Sequence, residues 1–294
     1  MAKTLRGGNT LPVLIVLGVL VVLWYLAAIW LNTPWQLGIY ERAGTTQWSW
    51  TQFVGDTWNQ ERPVLPSPHQ VLIELWNTTA AMAPTSKRSL VYHGWITLSS
   101  TLLGFVLGSL LGIGLAVAIV HNGASDRTLM PWLIASQTIP ILAIAPMVIV
   151  VLNAVGISGL VPKALISTYL SFFPIAVGMV KGLRSPETIQ LDLMHTYNAS
   201  AAQTFFKLRW PSALPFLFTS MKVGVAASLV GAIVAELPAG AAGGYGARLL
   251  AGSYYGQTVQ IWSALFAAAI LAAVLVIAVG VVERRVNLRM GARA

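Results

Sequence analysis

The chain has 294 residues, of which 56% are hydrophobic and only 9% are charged. A soluble domain carries about 25% charged residues, and the apolar residues here come in blocks of about 20, long enough to cross a bilayer as helices, so the composition excludes an ordinary soluble protein. The absence of cysteine excludes disulfides and thiolate metal sites. A membrane barrel would require strands in which polar and apolar residues alternate, and the sequence has no sustained alternation of this kind.

The net charge of +9 has two explanations. Nucleic-acid binding is one, but no basic cluster is interleaved with stacking aromatic residues, as single-strand binders require. An excess of Lys and Arg in cytoplasmic loops is the commoner cause in membrane proteins. We therefore predict an all-α polytopic membrane protein that contacts lipids and has no nucleic-acid partner.

Six apolar stretches predict about six transmembrane helices, near 11–31, 96–120, 131–152, 162–181, 214–236 and 260–282. The first is longer than the apolar region of about 7–15 residues in a signal peptide, and we expect it to be retained as a helix. With the N-terminus inside, inner segments hold twelve of the eighteen Lys and Arg residues. Both termini are therefore predicted to be cytoplasmic.

Residues 32–95 form the largest outer segment and contain a concentration of tryptophans: Trp35, Trp48, Trp50 and Trp58. The favoured interpretation is amphipathic helices at the membrane surface with the indoles at headgroup level. An aromatic cage for a substrate is the alternative. A proline-rich turn then leads into a short helix predicted at 69–82.

The second span carries Gly104, Gly108 and Gly112, each four residues after the last. This spacing puts the three glycines on one helix face, where another helix can approach closely. We interpret the pattern as a packing face.

Residues 185–215 form a polar segment between two apolar spans, called here the 185–215 loop. Ser185 is a good N-cap, Pro186 suits the first helical position, and Glu187 suits the positive end of the helix dipole. These three residues predict a helix from 186 to about 197.

A sharp corner is predicted after that helix, at Asn198, because Asn adopts the left-handed conformation that commonly ends helices. Ser200 and Gln203 are spaced as a capping box that starts a second helix. This helix is predicted to run from 201 to about 209 and to stop before Pro211.

The second helix carries two phenylalanines, Phe205 and Phe206. Burial of each is favourable by roughly 1.5–3 kcal/mol, so exposure of both to water is costly. Either they fold back on the protein's own helices or they enter a groove of a partner. The residues alone favour neither.

The clear candidates for ionisable residues inside the bilayer are Lys222 and Glu236. Lys222 is close enough to the inner interface to extend its ammonium group to water. Glu236 precedes a glycine-rich run that includes Gly240, Gly243, Gly244 and Gly246. Irregular backbone at membrane depth must be buried in protein or face a water-filled cavity.

We therefore expect Glu236, Gly243, Gly244 and Gly246 to line a translocation route or its gate. The alternative is a carboxylate at a helix end in the outer headgroup zone.

No catalytic site is predicted. The chain has no GxxxxGK[ST] loop for ATP. Its four histidines are scattered, none has a metal-binding partner four residues away, and too few acids and bases are present for a Ser–His–Asp arrangement. We expect no metal, no cofactor and no enzymatic activity in this chain.

The 185–215 loop resembles the EAA loop of ABC-importer permeases, in which Glu-Ala-Ala, three residues, Gly-Ala and a stretch ending in Leu-Pro form the coupling helix that docks into the ATPase subunit. Aligned on Pro211 and Pro215, Asp192, Leu193 and Met194 stand for Glu-Ala-Ala, Asn198 for the glycine, and Ala199 and Ser200 match. The resemblance implies ATPase-coupling residues in the loop: Asp192, Asn198, Ala199, Ser200, Phe205, Phe206, Pro211 and Pro215.

Other stretches are similar to the nitrate/sulfonate/taurine branch of these permeases: VLPSPHQVLIELW at 64–76, the glycine pattern after Gly104, IPILAIAPMVIVVLNAVGIS at 139–158, SFFPIAVGMVKGL at 171–183 and AELPAGAAGGYG at 235–246. The chain departs from the pattern at Leu193 and Met194, at Ser100, where the branch often has Arg, and at 32–61, which looks like an insertion.

The resemblance implies a type I ABC importer permease fold. It implies an N-terminal part, 1–95, with a transmembrane helix and a periplasmic amphipathic segment, and a core transmembrane domain, 96–294. The implied partners are two cytoplasmic ATPase subunits that bind ATP and Mg, a second permease subunit, identical or paralogous, and a periplasmic or lipid-anchored substrate-binding protein. The implied location is the bacterial inner membrane.

Two other functions are compatible with the composition. A secondary transporter working alone would move its substrate without an ATPase and usually has several ionisable groups inside the bilayer. A membrane scaffold would show no substrate-stimulated ATPase activity in a reconstituted complex. Substrates implied by the resemblance range from organic and inorganic anions to heteroaromatic vitamin precursors.

Overall fold

The computed structural model describes residues 10–238 and 243–290, and within them the regular structure is helical. The helices are α1 Thr10–Arg42, α2 Trp50–Trp58, α3 Pro68–Thr79, α4 Leu90–His121, α5 Gly123–Ser136, α6 Ile141–Ala154, α7 Leu160–Leu183, α8 Thr188–Thr196, α9 Ala201–Thr204, α10 Trp210–Ala235, α11 Tyr245–Tyr254 and α12 Thr258–Arg289. A π-helical turn, Phe205–Arg209, joins α9 to α10.

Five described helical stretches are long and apolar enough to cross a membrane: α1, α4, α7, α9 to α10 taken together, and α12. A sixth crossing requires α5 and α6 to count as one span, and these two helices are bent by 95°. The predicted span 131–152 is therefore not one continuous helix. Pro140 explains the break, because a proline disfavours helical geometry at the residue before it and has no N–H to donate.

The chain forms two compact units, one made of the described part of 1–91 together with 248–267, and the other of the described parts of 92–247 and 268–294. In the first unit α1 continues well past the predicted end of its span. Asn32 in α1 is fully buried. Its amide donates to Leu65 O at 2.9 Å and its carbonyl accepts from Val64 N at 2.7 Å. This side chain holds the turn before α3 against α1.

The aromatic residues of the first unit pack against one another. The ring of Phe53 in α2 lies 4.9 Å from that of Trp48 and 5.4 Å from that of Trp50. The Trp58 ring meets Tyr25 edge-on at 5.1 Å. Helix α2 is thus a short amphipathic helix that buries Phe53 and leaves Trp50 largely exposed.

The second unit is built around α7 and α10, and α4 packs on α7 through its glycines. A Cβ atom at Gly104 or Gly108 would lie about 2 Å from Ser167 Cβ or Ser171 Oγ. The prediction that these glycines form a packing face is confirmed. Hydroxyl groups add bonds between helices, since Ser228 Oγ donates to Thr101 O at 2.8 Å.

Candidate functional site

The first helix of the 185–215 loop begins later than predicted. Helix α8 starts at Thr188, and Glu187 is its N-cap. The Gln190 side chain accepts from Glu187 N at 3.0 Å, which is one half of a capping box. Ser185 does not cap α8, because its hydroxyl donates instead to Gly182 O at 2.7 Å in the last turn of α7.

The corner at Asn198 is confirmed. Asn198 has φ +49°, and it is the one non-glycine residue with positive φ in the described part of the chain. The following amide, Ala199 N, donates to Met194 O at 2.9 Å and closes the end of α8. The predicted capping box is also present, since Ser200 N donates to the Gln203 side chain at 2.8 Å and Gln203 N donates to Ser200 Oγ at 3.2 Å.

The second helix of the loop does not stop before Pro211, so that prediction was wrong. Helix α9 passes through the π-helical turn into α10, and Pro211 lies in the first turn of α10 while Pro215 lies inside it. Trp210 N donates to Phe205 O, five residues back. This wider turn lets the chain pass into a helix whose second residue has no N–H to donate.

The two phenylalanines of the π-helical turn have different surroundings. Phe205 is half-buried, with its ring 5.0 Å from His121 at the end of α4 and 5.9 Å from Trp210. Phe206 is 68% exposed. One ring therefore folds back on the protein's own helices, and the other is left on the surface.

An exposed apolar stripe runs along α8. Ile189, Leu193 and Tyr197 are 71%, 54% and 76% exposed, and their spacing of four residues puts them on one side of the helix. We call these three residues the α8 stripe. Asp192 and Ser200 are also exposed, and Ala199 is half-buried.

Two interactions join the residues at the ends of the loop to neighbouring helices of the second unit. The Arg184 guanidinium lies 2.8 Å from Asp126 Oδ2 in α5. Arg209 Nη1 donates to Leu183 O at 3.1 Å, joining the π-helical turn to the last residue of α7. The loop thus projects from helices that are tied to one another at its base.

The described end of the glycine-rich turn after α10, residues 243–246, packs around Glu236. The Glu236 side chain is fully buried. Thr97 Oγ1 donates to the carboxyl group, 3.0 Å from either oxygen, and Gly246 N donates to Oε2 at 3.0 Å. Lys163 Nζ lies 3.9 Å from Oε1 and donates to Gly243 O at 3.1 Å.

The three described glycines of this turn are required by its geometry. Gly244 has φ +117°, and a Cβ there would lie 2.0 Å from Glu236 Cδ. A Cβ at Gly246 would lie 2.2 Å from Ile233 O, and one at Gly243 would lie 2.7 Å from Ile96 Cδ1. Gly240, named with them in the sequence, lies outside the described residues.

Further bonds join the turn to α4. Gly244 N donates to His93 Nδ1 at 3.0 Å, and Tyr245 N donates to Thr97 Oγ1 at 2.9 Å. Burial, together with the neighbouring Glu236 carboxyl group, raises the pKa of Tyr245 to about 12, so this phenol is neutral at physiological pH. The sequence indicated Glu236 and the glycines, but His93, Thr97 and Lys163 carry no local signal. That the turn lines a route or gate stays a prediction.

A second charged pair was not predicted. Lys222 Nζ in α10 lies 2.5 Å from Glu283 Oε2 in α12. Lys222 lies in the middle of α10 and pairs with an acid of α12. Glu283 was not recognised because α12 extends beyond the predicted span 260–282.

Within residues 10–238 and 243–290, no group of three or more metal-ligating side chains is arranged to hold a metal ion.

Comparison with solved structures identifies the fold. The chain resembles a chain from the inward-facing MetNI methionine ABC transporter with a TM-score of 0.59. The likeness covers 67% of this chain and 96% of that one at 21% identity. The predicted type I importer permease fold is therefore confirmed.

Relatives of known sequence are described as permease proteins of transport systems. A probable ABC transporter permease protein of Haemophilus influenzae is 31% identical over 59% of this chain, and RibX, the riboflavin transport system permease protein of Chloroflexus aurantiacus, is 30% identical over 75% of it. The chain spans 66% of the length of the Haemophilus protein and 78% of RibX. It spans 65% of ThiX, the formylaminopyrimidine transport permease protein of Halalkalibacterium halodurans, at 31% identity.

The family described as the binding-protein-dependent transport system inner membrane component matches residues 94–292. This range contains α4 from its fifth residue onward, α5 to α12, the 185–215 loop and the described part of the turn around Glu236. The chain belongs to this family of multi-pass inner membrane proteins.

Proposed function

We propose that the chain is the permease subunit of an ATP-driven ABC importer and forms the translocation pathway for a small solute delivered by a substrate-binding protein. The family description and the permease names of the relatives support this function. In this proposal the chain itself has no enzymatic activity, and separate ATPase subunits bind ATP and Mg.

The observation that carries the proposal is the α8 stripe. Three large side chains lie exposed on a short helix and its C-cap, between α7 and α9: Ile189, Leu193 and Tyr197. Exposed apolar patches rimmed by polar residues are typical of protein interaction sites. We expect the stripe and the neighbouring Phe206 to enter the surface of an ATPase subunit, with two such subunits in the complete importer.

The remaining partners follow from the same function. A second permease subunit, identical or paralogous, completes the pathway, and a periplasmic or lipid-anchored binding protein docks on the opposite side of the membrane. The excess of Lys and Arg in the segments predicted to be internal supports cytoplasmic termini. This orientation puts the 185–215 loop on the side where ATP is available.

The substrate is proposed as a small solute. Relatives named for riboflavin and formylaminopyrimidine transport are 30% and 31% identical to this chain, and relatives named for aliphatic sulfonates (SsuC) and nitrate (NrtB) are 27% and 26% identical. These names include heteroaromatic solutes and anions. Identification of the ligand that the partner binding protein retains on purification would show which class of solute is transported.

A charge in the middle of the α8 stripe tests the ATPase contact. We expect Leu193→Glu to reduce copurification of the ATPase with the full-length chain by about tenfold or more, because a buried unpaired carboxylate costs at least about 1.4 kcal/mol. The measurement is the ratio of the two subunits after affinity purification from membranes.

Thr188→Glu is the matched control. It adds the same side chain to an exposed site on α8, turned about 140° from the middle of the stripe at 100° per residue. We expect copurification to remain normal. Normal recovery of the ATPase with Leu193→Glu, or solute transport by the chain without any ATPase, would contradict the proposal and favour a scaffold or a secondary transporter.

A further inference from the structure

A basic groove lies beside the loop, on the side of α8 away from the α8 stripe. It has a volume of about 420 Å³. Its polar lining includes His121 from the end of α4, His195 from α8 and Arg209 from the π-helical turn. Residues from three separate elements therefore converge on one cavity, and none of the described residues that line it is acidic.

The hydrogen bonds of the groove leave donors for an anion. His121 Nδ1 lies 2.9 Å from Val117 O, a carbonyl that can only accept, so Nδ1 carries a proton. The other ring nitrogen, Nε2, then donates to an anion when the ring is protonated, or accepts from a protonated phosphate. Arg209 uses Nη1 for Leu183 O, and a guanidinium has five N–H groups in all.

The position of the groove is at the end of the membrane helices. The long apolar helix α4 ends at His121, and Arg209 immediately precedes α10. Val120 and Leu191 give the groove an apolar wall beside its basic groups. Basic pockets at the cytoplasmic ends of membrane helices suit anionic lipid headgroups.

We propose that this groove, lined by His121, His195 and Arg209, binds the phosphate group of an anionic phospholipid. The phosphate lies between the three basic side chains, and the glycerol and the first acyl carbons lie against Val120 and Leu191. A bound phosphate contacts α4, α8 and the π-helical turn together, so the lipid fastens the loop to the membrane helices. Free inorganic phosphate offers the same chemistry without the apolar part.

The nearest acid on α8 is Asp192, one turn before His195. It is exposed and does not line the groove. Asp126, in α5, is paired with Arg184. These carboxylates leave the basic lining available to a phosphate.

Calorimetric titration of the detergent-solubilised full chain tests the site with three probes: short-chain phosphatidylglycerol, short-chain phosphatidylcholine and inorganic phosphate. We expect phosphatidylglycerol to bind in preference to phosphatidylcholine. Two variants, His195→Gln and Arg209→Gln, should each weaken that binding by about tenfold, the loss expected for one charge-assisted hydrogen bond.

Lys207→Gln is the charge-matched control for Arg209→Gln, because Lys207 is an exposed cation of the same turn that does not line the groove. We expect the Lys207→Gln chain to bind phosphatidylglycerol with an affinity within about twofold of that of the unchanged chain, since exposed charges act weakly through solvent. His195→Gln keeps the test valid if loss of the Arg209 bond to Leu183 O unfolds the loop.

The outcomes separate the two sources of phosphate. Binding of phosphatidylglycerol without inorganic phosphate supports a lipid site, and binding of inorganic phosphate that both variants weaken supports a phosphate site filled from solution. Equal binding by the original chain and both variants, or no binding of any probe, overturns the proposal. The Leu193→Glu experiment is independent of these results.

Discussion

Glu236 accepts hydrogen bonds from residues that lie far apart in the chain. Thr97 is 139 residues away and Gly246 is ten residues away. A buried carboxyl group is costly unless it is hydrogen-bonded and paired. Thr97 in α4 and Gly246 in α11 supply the hydrogen bonds, and Lys163 in α7 supplies the positive charge. The glycines belong to the same arrangement, because any larger residue at Gly244 would meet the carboxyl group.

Gly244→Ala tests this close approach. We expect it to lower the free energy of unfolding by at least about 2 kcal/mol, because the new Cβ would meet Glu236 and because φ +117° is strained for alanine. The readout is the thermal unfolding midpoint in detergent. Gly114→Ala in α4 is the control, since a Cβ there meets no atom within 4 Å. An equal midpoint for the two variants would show that the turn tolerates the methyl group.

Glu236→Gln tests the predicted pathway or gate role. Gln keeps the size of Glu but replaces one acceptor oxygen by an NH₂ group, which either faces the Gly246 N–H or reduces the acceptance from Thr97. We expect solute transport by the reconstituted importer to fall by about tenfold, equivalent to about 1.4 kcal/mol. Unchanged transport and unchanged coupling to ATP hydrolysis would mean that the pathway role is wrong.

At the scale of the helices, charge pairs and small residues join elements that apolar packing alone does not orient. Lys222 joins α10 to α12 through Glu283, and the glycines of α4 let it approach α7. Lipid tails are as apolar as Leu, so packing of small residues and polar bonds takes over from the hydrophobic effect between membrane helices.

Lys222→Met leaves Glu283 without its partner between α10 and α12. Both side chains are partly buried, with exposures of 36% and 20%. Removal of one member leaves a partly desolvated charge without its partner, whereas removal of both members is often nearly neutral. We expect the single variant to be less stable than Lys222→Met/Glu283→Gln by about 1 kcal/mol. Thermal unfolding of the two variants side by side measures the difference, and a double variant that is the less stable of the two contradicts this account.

Local signals predicted much of the loop. The corner at Asn198 and the capping box of Ser200 each depend on residues no more than five positions apart in the sequence, and the structure has both. The continuation past Pro211 was not predicted, because a proline breaks an ordinary helix and nothing nearby indicates that a π-helical turn precedes it. The first N-cap was misassigned because the Ser185 hydroxyl donates to Gly182 O at the end of α7, and the local sequence does not show that the hydroxyl is used there.

At the scale of the whole molecule, hydropathy predicted the long helices, and family resemblance predicted their fold. The sharp bend between α5 and α6 was missed because an apolar stretch of that length reads as one span. The pairs that build the site around Glu236 were missed because their members are up to 151 residues apart. The basic groove was missed for the same reason, since its three basic residues come from three elements. The division of the chain at residue 95 stays a prediction.

The continuous helical stretch from Ala201 to Ala235 has a mechanical consequence. Its 35 residues correspond to about 52 Å at 1.5 Å per residue. One end of this stretch lies at the corner after α8, and its other end lies next to Glu236. A rod of this kind resists compression, so an axial displacement of a few ångströms at the loop must move the Glu236 end by a similar amount. Sideways bending is favoured where the regular α-helical bonds are interrupted, at the π-helical turn next to Phe206 and at Pro215.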